Sequence, residues 1–283
     1  MSSASKTPDL ARLFVAHKPP FVSSNRFLGQ LKRRYGVRSA GFSGTLDPIA
    51  SGCLIIAFGP YTRLFQYLAK TPKRYRATLY LGACSDTLDL EAITHINPTT
   101  PLKVEAITQA MADLTGDQMQ LPPRFSALKV EGRRAYDLAR SGEAFELKAR
   151  AVTIDTFKLS HYAHPFLTFE ASVSEGTYIR TLAGDLAHKL GTTGALTYLE
   201  RLSEGKLHYE NERALDPLSV IDLPRNHYLQ DPQDLYLGRV LRSVDFEQSD
   251  EGVYLVETEE FFVIVEIIGD RAHYRLGRMP HLC

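Results

Sequence analysis

The chain has 283 residues, 44% of them hydrophobic and 23% charged, which is typical of a globular protein with a substantial apolar core. Its apolar runs are much shorter than the about 18 residues that a transmembrane helix needs, so the sequence predicts no membrane span. Residues 1–10 lack an apolar segment, and we therefore expect no secretory signal and a cytoplasmic protein.

The three cysteines, Cys53, Cys84 and Cys283, form no CxxC motif, and the nine histidines show no metal-ligand spacing. Reduced thiols in a cytoplasm and no bound metal are therefore expected. The sequence also contains no GxGxxG or Walker A motif, so it predicts no nucleotide cofactor.

The net charge is zero, but the two signs are unevenly distributed along the chain. Residues 1–150 carry 21 basic and 12 acidic side chains, a net charge of +9, whereas residues 151–283 carry 12 and 21, a net charge of −9. Within residues 1–80 the counts are 13 and 2. This segregation indicates a nucleic-acid-binding surface in the N-terminal half, although a drift of solvated charge along the chain would give the same counts.

The first predicted elements are a short strand over residues 13–16 and a helix that starts after Ser23 or Ser24 and ends at Tyr35, with Gly36 as its C-terminal cap. The Lys-Pro-Pro sequence at 18–20 interrupts regular structure between them. One face of the helix is apolar, and the other carries four basic residues: Arg26, Lys32, Arg33 and Arg34.

Apolar runs and alternation predict three further strands, over residues 53–58, 75–82 and 167–173. Helical periodicity predicts helices over residues 104–114 and 134–141. A fourth helix is expected to begin after Thr177, which would cap it, and to end at Gly191. Residues 121–126 are predicted to be extended because they contain two consecutive prolines.

The pattern changes near residue 222, where a polar stretch with two prolines is followed by short β-rich runs at residues 252–257, 261–268 and 273–276. We therefore predict two domains, residues 1–223 and residues 224–283. Strands and helices that mix without a strict βα repeat predict an α+β fold for the larger domain.

The most unusual segment is GFSGTLDPIASG, residues 41–52, whose three glycines allow a backbone to approach a ligand closely. Asp47 is the only acidic residue between Asp9 and Asp86, and the surrounding basic residues favour its ionised form. Such a carboxylate suits a nucleophile or a base. An Asp-Pro sequence is equally typical of a turn that the aspartate caps.

This segment resembles the catalytic loop of the TruB family of tRNA pseudouridine synthases, whose pattern is G-H-x-G-T-L-D-P-x-A-x-G. Five other blocks resemble the family's in the same order: K-P with S-S-N at 18–25, K-x-Y-x-A at 73–77, D-T-x-D at 86–89, P-P-x-x-S-A-x-K-x-x-G-x-R-A-Y at 122–136 and G-T-Y-I-R-x-L at 176–182. A weaker block covers residues 194–205. The resemblance implies a pseudouridine synthase fold, with helices flanking a mixed, largely antiparallel sheet and a small β-rich, PUA-like C-terminal appendage.

The resemblance further implies that the chain isomerises uridine to pseudouridine at position 55, in the T arm of tRNA. Asp47 matches the family's nucleophile, Tyr75 the tyrosine that stacks on the target base, and Arg180 the arginine that pairs with the catalytic carboxylate. Whether Asp47 attacks C1′, adds to C6 or removes a sugar proton stays open. Considered without the resemblance, Tyr75 is also compatible with a strand core, and Arg180 with a surface salt bridge.

Further substrate-binding residues follow from the matching positions and from the basic helix: Lys18, Pro19, Arg33, Arg34, Phe42, Gly44, Thr45, Asp89, Tyr178, Leu199 and Arg201. Phe42 stands where the family has histidine, so stacking is retained at this position but hydrogen bonding is lost.

The T stem-loop of tRNA is the expected partner, and no cofactor, guide RNA or obligate protein partner is expected. Residues 224–283 carry 6 basic and 11 acidic side chains, which argues against a guide-RNA-dependent relative and predicts a minor role for this segment in RNA binding. The remaining alternative is an RNA-binding or tRNA-folding factor without catalysis.

Overall fold

The computed structural model describes residues 10–126, 128–130 and 132–282. The predictions about an N-terminal signal and about Cys283 concern residues outside these ranges. In the described part of the chain no helix is long and apolar enough to cross a membrane. The helices are α1 (Ser24–Tyr35), α2 (Val104–Asp113), α3 (Ala135–Arg140), α4 (Ile179–Lys189), α5 (Pro217–Val220) and α6 (Pro232–Leu237).

Eighteen strands lie in the described residues. Strands β1 to β13 are, in order, Arg12–Lys18, Ala40–Ser43, Ser51–Phe58, Lys73–Leu81, Ala83–Ser85, Ile93–Ile96, Gly116–Gln120, Lys129–Val130, Arg133–Arg134, Arg150–Ala163, Phe166–Val173, Gly194–Glu204 and Leu207–His208. Strands β14 to β18 are Arg225–Asn226, Leu241–Arg242, Gly252–Glu257, Phe261–Ile268 and Arg271–Pro280.

Two sheets organise the described chain. The nine-stranded sheet has the order β1-β3-β12-β4-β11-β10-β7, with β2 paired to β3 and β13 paired to β12. Its β3–β12 pair is parallel, and its other described pairs are antiparallel. The five-stranded sheet has the order β14-β16-β17-β18-β15. These sheets confirm the predicted α+β fold, with a mixed, largely antiparallel sheet and a β-rich C-terminal part.

Helices α2 and α4 cover one face of the large sheet. Strand β4 alternates buried and more exposed side chains, and its buried side chains face these helices. The helices contribute the apolar residues Ile107, Met111, Leu182 and Leu186 to the same core. Tyr75 lies near one end of this alternation, on the same face as the residues that pack against the helices.

Strand β17 explains how the second sheet is attached. Phe262 and Ile264 pack in one core with residues of β1 and β3, while Val263 and Val265 pack in another core with Leu235 of α6. Burial on both faces accounts for the continuous apolar run at 261–265. The second sheet begins at Arg225, close to the predicted boundary, but the two sheets share an apolar core, and the division into two domains stays a prediction.

The bounds of helix α1 agree with the prediction. Ser23 accepts a hydrogen bond from the Arg26 backbone N–H at 3.2 Å, and Gly36 ends the helix with a φ of 66°. The predicted cap of α4 is wrong, because the N-cap residue is Tyr178 and the Thr177 hydroxyl lies instead 3.3 Å from that of Ser174.

Strands β10 and β12 are present although the sequence did not predict them. Register shifts interrupt the pairing of β10 near Thr156 and His161, and they interrupt β12 near Tyr198 and Ser203. Each bulge moves the following side chains to the opposite face, so neither strand shows a sustained period of two in its sequence.

Gly52 is required where the parallel strands β3 and β12 meet. Its φ is +103°, and a Cβ atom there would lie 2.2 Å from the backbone oxygen of Arg201. Gly52→Ala is therefore expected to lower the free energy of unfolding by about 3 kcal/mol or more, because two backbones must separate. Urea denaturation measures the loss.

Gly36→Ala is the matched control for Gly52→Ala. Gly36 also has a positive φ, +66°, but nothing lies within 4 Å of the place that a Cβ atom would occupy. The expected loss is about 1 kcal/mol, the cost of a left-handed conformation alone. Equal losses in the two variants would contradict a close backbone approach at Gly52.

Candidate active site

Asp47 lies in the loop that connects β2 to β3. Its backbone oxygen accepts a hydrogen bond from the Ala50 N–H at 3.1 Å, which closes the turn that the Asp-Pro sequence predicted. The carboxylate makes a different contact, because its Oδ2 lies 2.8 Å from Nε of Arg180. The backbone thus forms the turn, while the side chain forms an ion pair.

The guanidinium of Arg180 is buried, which excludes a surface salt bridge. Besides Asp47, it contacts three groups: Nη1 donates to the Thr87 carbonyl at 2.7 Å, Nη2 donates to the Phe125 carbonyl at 2.8 Å, and Nη1 lies 3.6 Å from Asp89 Oδ2. These contacts come from separate segments of the chain, so the orientation of the guanidinium is well determined. The Asp47 contact joins one nitrogen to one oxygen and is an ion pair rather than an aligned hydrogen bond.

Asp89 lies behind Arg180, away from the cleft. Its Oδ1 accepts hydrogen bonds from the Thr87 hydroxyl at 2.6 Å and from the Glu91 backbone N–H at 3.0 Å, and the residue is buried. This position suits a residue that orients Arg180. The predicted contact between Asp89 and the substrate stays a prediction.

A cleft of about 400 Å³ opens beside the Asp47–Arg180 pair. Tyr75 lines the cleft from β4 and also belongs to the apolar core. Its position is therefore compatible with both roles considered from the sequence, a ring that stacks on the target base and an aromatic residue of the strand core. Of the other residues predicted to bind the substrate, five line the cleft: Gly44, Thr45, Tyr178, Leu199 and Arg201. The structure therefore brings Asp47, Tyr75 and these five further candidates around one cavity, and Arg180 adjoins it through its contact with Asp47.

Lys18 is buried at the end of β1 and holds the Asp47 loop. Its Nζ donates hydrogen bonds to the carbonyls of Pro19 at 3.0 Å, Val22 at 2.6 Å and Pro48 at 3.3 Å. Burial lowers the pKa of Lys18 to about 8. Its three donors are directed at the protein backbone, and neither Lys18 nor the exposed Pro19 lines the cleft. The structure thus supports a role in positioning the loop, and their predicted substrate contacts stay predictions.

Arg201, on β12, contacts the same loop at Gly44. Its Nη2 donates to the Gly44 carbonyl at 2.9 Å and lies 2.8 Å from Glu204 Oε1, while its Nε donates to the Cys53 carbonyl at 2.8 Å. Burial raises the pKa of Glu204, and the neighbouring Arg201 and Lys73 oppose that rise. Glu204 was not predicted as a site residue, although it lies within the weaker block at residues 194–205.

Besides Lys18, Pro19 and Asp89, three further predicted residues lie outside the cleft. Phe42, on β2, packs against the apolar cluster beneath α1. Arg33 is exposed on α1 and lines a second concavity together with Lys32 and Arg38. Arg34 forms an ion pair with Glu212. Contacts of these residues with a flipped base are therefore not supported by their positions, whereas contacts of the arginines with an RNA backbone stay predictions.

Residues 32–179 match the TruB family pseudouridylate synthase N-terminal domain. The chain is 49% identical over 269 residues to the tRNA pseudouridine synthase B of Sulfurovum sp. (strain NBC37-1), covering 95% of this chain and 97% of the relative. It is 46% identical over 267 residues to the tRNA pseudouridine synthase B of Campylobacter concisus (strain 13826), covering 94% and 98%. A chain from the crystal structure of a Cbf5–Nop10–Gar1 complex has the same fold, with a TM-score of 0.68, 18% identity, and coverage of 95% of this chain and 85% of that chain.

The fold, the cleft and these matches together define the class of protein: it is a pseudouridine synthase, an isomerase. Within that class, the chain belongs to the TruB family.

Proposed function

We propose that the protein isomerises uridine to pseudouridine at position 55, in the T arm of tRNA, and that it needs no guide RNA. The observation that carries the proposal is the ion pair between Asp47 and the buried Arg180 beside a cleft that Tyr75 lines. The names of the relatives, which match nearly the whole chain at 46–49% identity, support tRNA as the substrate.

Asp47 initiates the reaction as the nucleophile. Its neighbour Arg180 stabilises the ionised carboxylate and holds it toward the cleft. In the reaction the N1–C1′ bond breaks and a C5–C1′ bond forms, while C5 loses a proton and N1 gains one. This balance involves no change of oxidation state, so the chemistry calls for a positioned carboxylate and a cavity in which uracil turns.

The target uridine must leave its stack to reach Asp47. Unstacking costs a few kcal/mol, and stacking on an aromatic side chain returns about 1–3 kcal/mol. Tyr75 offers such a ring in the cleft, with Leu199 and Tyr178 as further walls. A cavity of about 400 Å³ lies in the size range of pockets that enclose small ligands.

Helix α1 and the segment that follows it supply cations for the RNA backbone. Lys32, Arg33 and Arg38 line one concavity, whereas Arg34 is partnered by Glu212. An RNA arm presents phosphates and 2′-hydroxyl groups rather than readable base edges, so contacts of this kind position it by shape and charge.

Replacing Lys32, Arg33 and Arg38 together with glutamine is expected to make RNA binding less dependent on salt. Each phosphate contact contributes about 0.7–0.9 to the slope of log K against log salt, so the slope should fall by about 2. Filter binding of a T-arm stem-loop over a series of KCl concentrations measures it.

A matched triple variant replaces Arg225, Arg239 and Arg242, each of which pairs with a carboxylate in the C-terminal sheet region. It removes the same charge and should leave the slope nearly unchanged. If the α1 variant keeps the parent's slope, the helix faces away from the RNA.

The proposed function is tested with the purified protein and an unmodified T-arm stem-loop labelled with tritium at C5 of uridine. Release of tritium and a pseudouridine peak in the nucleoside digest are expected without any added RNA. Tight binding without release would favour an RNA-binding or RNA-folding factor, and release only after a guide RNA is added would contradict stand-alone action.

A further inference from the structure

Arg150 is a cleft residue that the proposed mechanism does not use. It is the first residue of β10, and its Cζ lies 4.7 Å from the centre of the Tyr178 ring. Its Nε is buried and has no hydrogen-bond partner, and within the described part of the chain Arg150 forms no ion pair. Among the described residues, Arg150 is thus a partly buried cation without a counter-ion at the wall of the candidate active site.

The other cations at the cleft have carboxylate partners. Lys73 Nζ lies 3.5 Å from Glu204 and 3.5 Å from Glu175. Arg201 lies 2.8 Å from Glu204, and Arg180 lies 2.8 Å from Asp47. Moving a cation out of water without a partner costs free energy, and a bound anion offsets that cost. Arg150 is therefore the cleft cation that is available to an anionic ligand.

The residues around Arg150 are well anchored. Gln120, its partner in the β7–β10 register, accepts a hydrogen bond from the Tyr178 N–H at 2.7 Å and donates one to the Tyr178 carbonyl at 3.2 Å. Gln120 thus holds the backbone of Tyr178, and the guanidinium of Arg150 lies over the Tyr178 ring. Gly176 leaves room on the other side, since a Cβ atom there would lie 3.2 Å from Nη1 of Arg150.

We propose that Arg150 binds a backbone phosphate of the RNA substrate, next to the uridine that enters the cleft. A guanidinium that lies on an aromatic ring keeps its coplanar N–H groups free, and their spacing matches two oxygens of one phosphate. A phosphate also supplies the negative partner that Arg150 lacks among the described residues, whereas uracil is neutral. The inference rests on the proposed function, since it takes RNA as the substrate.

Arg150→Gln removes the charge but retains a polar side chain. The variant is expected to bind the T-arm stem-loop about tenfold more weakly, and its salt slope should fall by about 0.7, the value for one single-stranded phosphate contact. The loss of activity should appear in KM more than in kcat. Arg150→Lys keeps the charge and should recover the salt slope even if it recovers only part of the affinity.

Arg278→Gln is the matched control. Arg278 lies over Tyr236 at 4.8 Å in the C-terminal region, so this variant breaks the same kind of stacked pair away from the cleft. Its RNA affinity and salt slope should equal those of the parent. If it loses affinity as Arg150→Gln does, the effect is not specific to the cleft and the proposal is overturned.

Single methylphosphonate linkages in the stem-loop identify the contact, because each one neutralises a single phosphate. At one linkage beside the target uridine, the substitution should weaken binding of the parent about tenfold and weaken binding of Arg150→Gln no further. Losses that multiply at every linkage would overturn the proposal. If the losses multiply but the parent converts uridine normally, only the Arg150 contact is overturned and the proposed function stands. If the parent does not convert uridine at all, the proposed function itself is contradicted.

Discussion

Asp47→Asn is expected to abolish pseudouridine formation, with a loss of about 10⁴-fold or more in kcat. Asparagine has the shape of aspartate but no negative charge, so it serves neither as a nucleophile nor as a base. The loop itself should persist, because its turn is closed by the Asp47 backbone oxygen rather than by the carboxylate. Tritium release under single-turnover conditions, with enzyme in excess over the stem-loop, measures the loss.

RNA binding should survive in this variant, since phosphate contacts elsewhere dominate the affinity. Asp250→Asn, at an exposed position in the C-terminal part, is the control and should react at the parent's rate. If Asp47→Asn reacts within tenfold of the parent, Asp47 is not the nucleophile. If it neither reacts nor binds, circular dichroism and urea denaturation determine whether the fold has been lost.

Arg180→Met is expected to damage both stability and activity. The substitution leaves the buried Asp89 without its cation and leaves the Thr87 and Phe125 carbonyls without their donor. Breaking one side of a buried ion pair costs about 3–5 kcal/mol, and we expect a loss of free energy of unfolding in that range. Activity should fall by about 10³-fold, because Asp47 loses the group that stabilises and aims its carboxylate.

Arg180→Lys separates the two effects. Lysine restores a positive charge near Asp89, so part of the stability should return, but a single ammonium group does not reproduce contacts to four groups in different directions. Activity should therefore stay low. Arg76→Met is the surface control, since its ion pair with Glu170 is exposed, and it should change stability by less than about 1 kcal/mol. A stable and active Arg180→Met variant would contradict the assigned role.

Sequence patterns predicted those ends of helices that depend on hydrogen bonds between residues close together in the chain. The cap of α1 at Ser23 and its end at Gly36 depend on residues within one turn, and both were predicted. The cap of α4 was predicted wrongly because Gln120, which binds the Tyr178 N–H, lies 58 residues away in the sequence. Strands β10 and β12 were not predicted, because bulges interrupt their alternation and the positions of the bulges depend on pairing with neighbouring strands.

The candidate site shows the same difference between what local motifs predict and what tertiary contacts determine. Motif order identified Asp47, Tyr75 and Arg180; the structure places Asp47 and Tyr75 at one cleft and pairs Arg180 with Asp47. The same motifs also led to Lys18 and Asp89 as substrate contacts, whereas the structure directs both side chains at protein groups. A motif records that a residue type is needed at a position, but it does not distinguish a residue that contacts the substrate from one that holds such a residue.

The amino-acid sequence by itself determined the family and the α+β class and singled out Asp47 as the candidate nucleophile, because ordered motifs and periodicity are properties of neighbouring residues. Tertiary structure decided which charges are neutralised: Lys73 by Glu204, Arg180 by Asp47, and Arg150 by no described carboxylate. The first two of these pairings join residues that are far apart in the chain. Coulomb energy and desolvation depend on distance in space, and only the folded chain sets those distances.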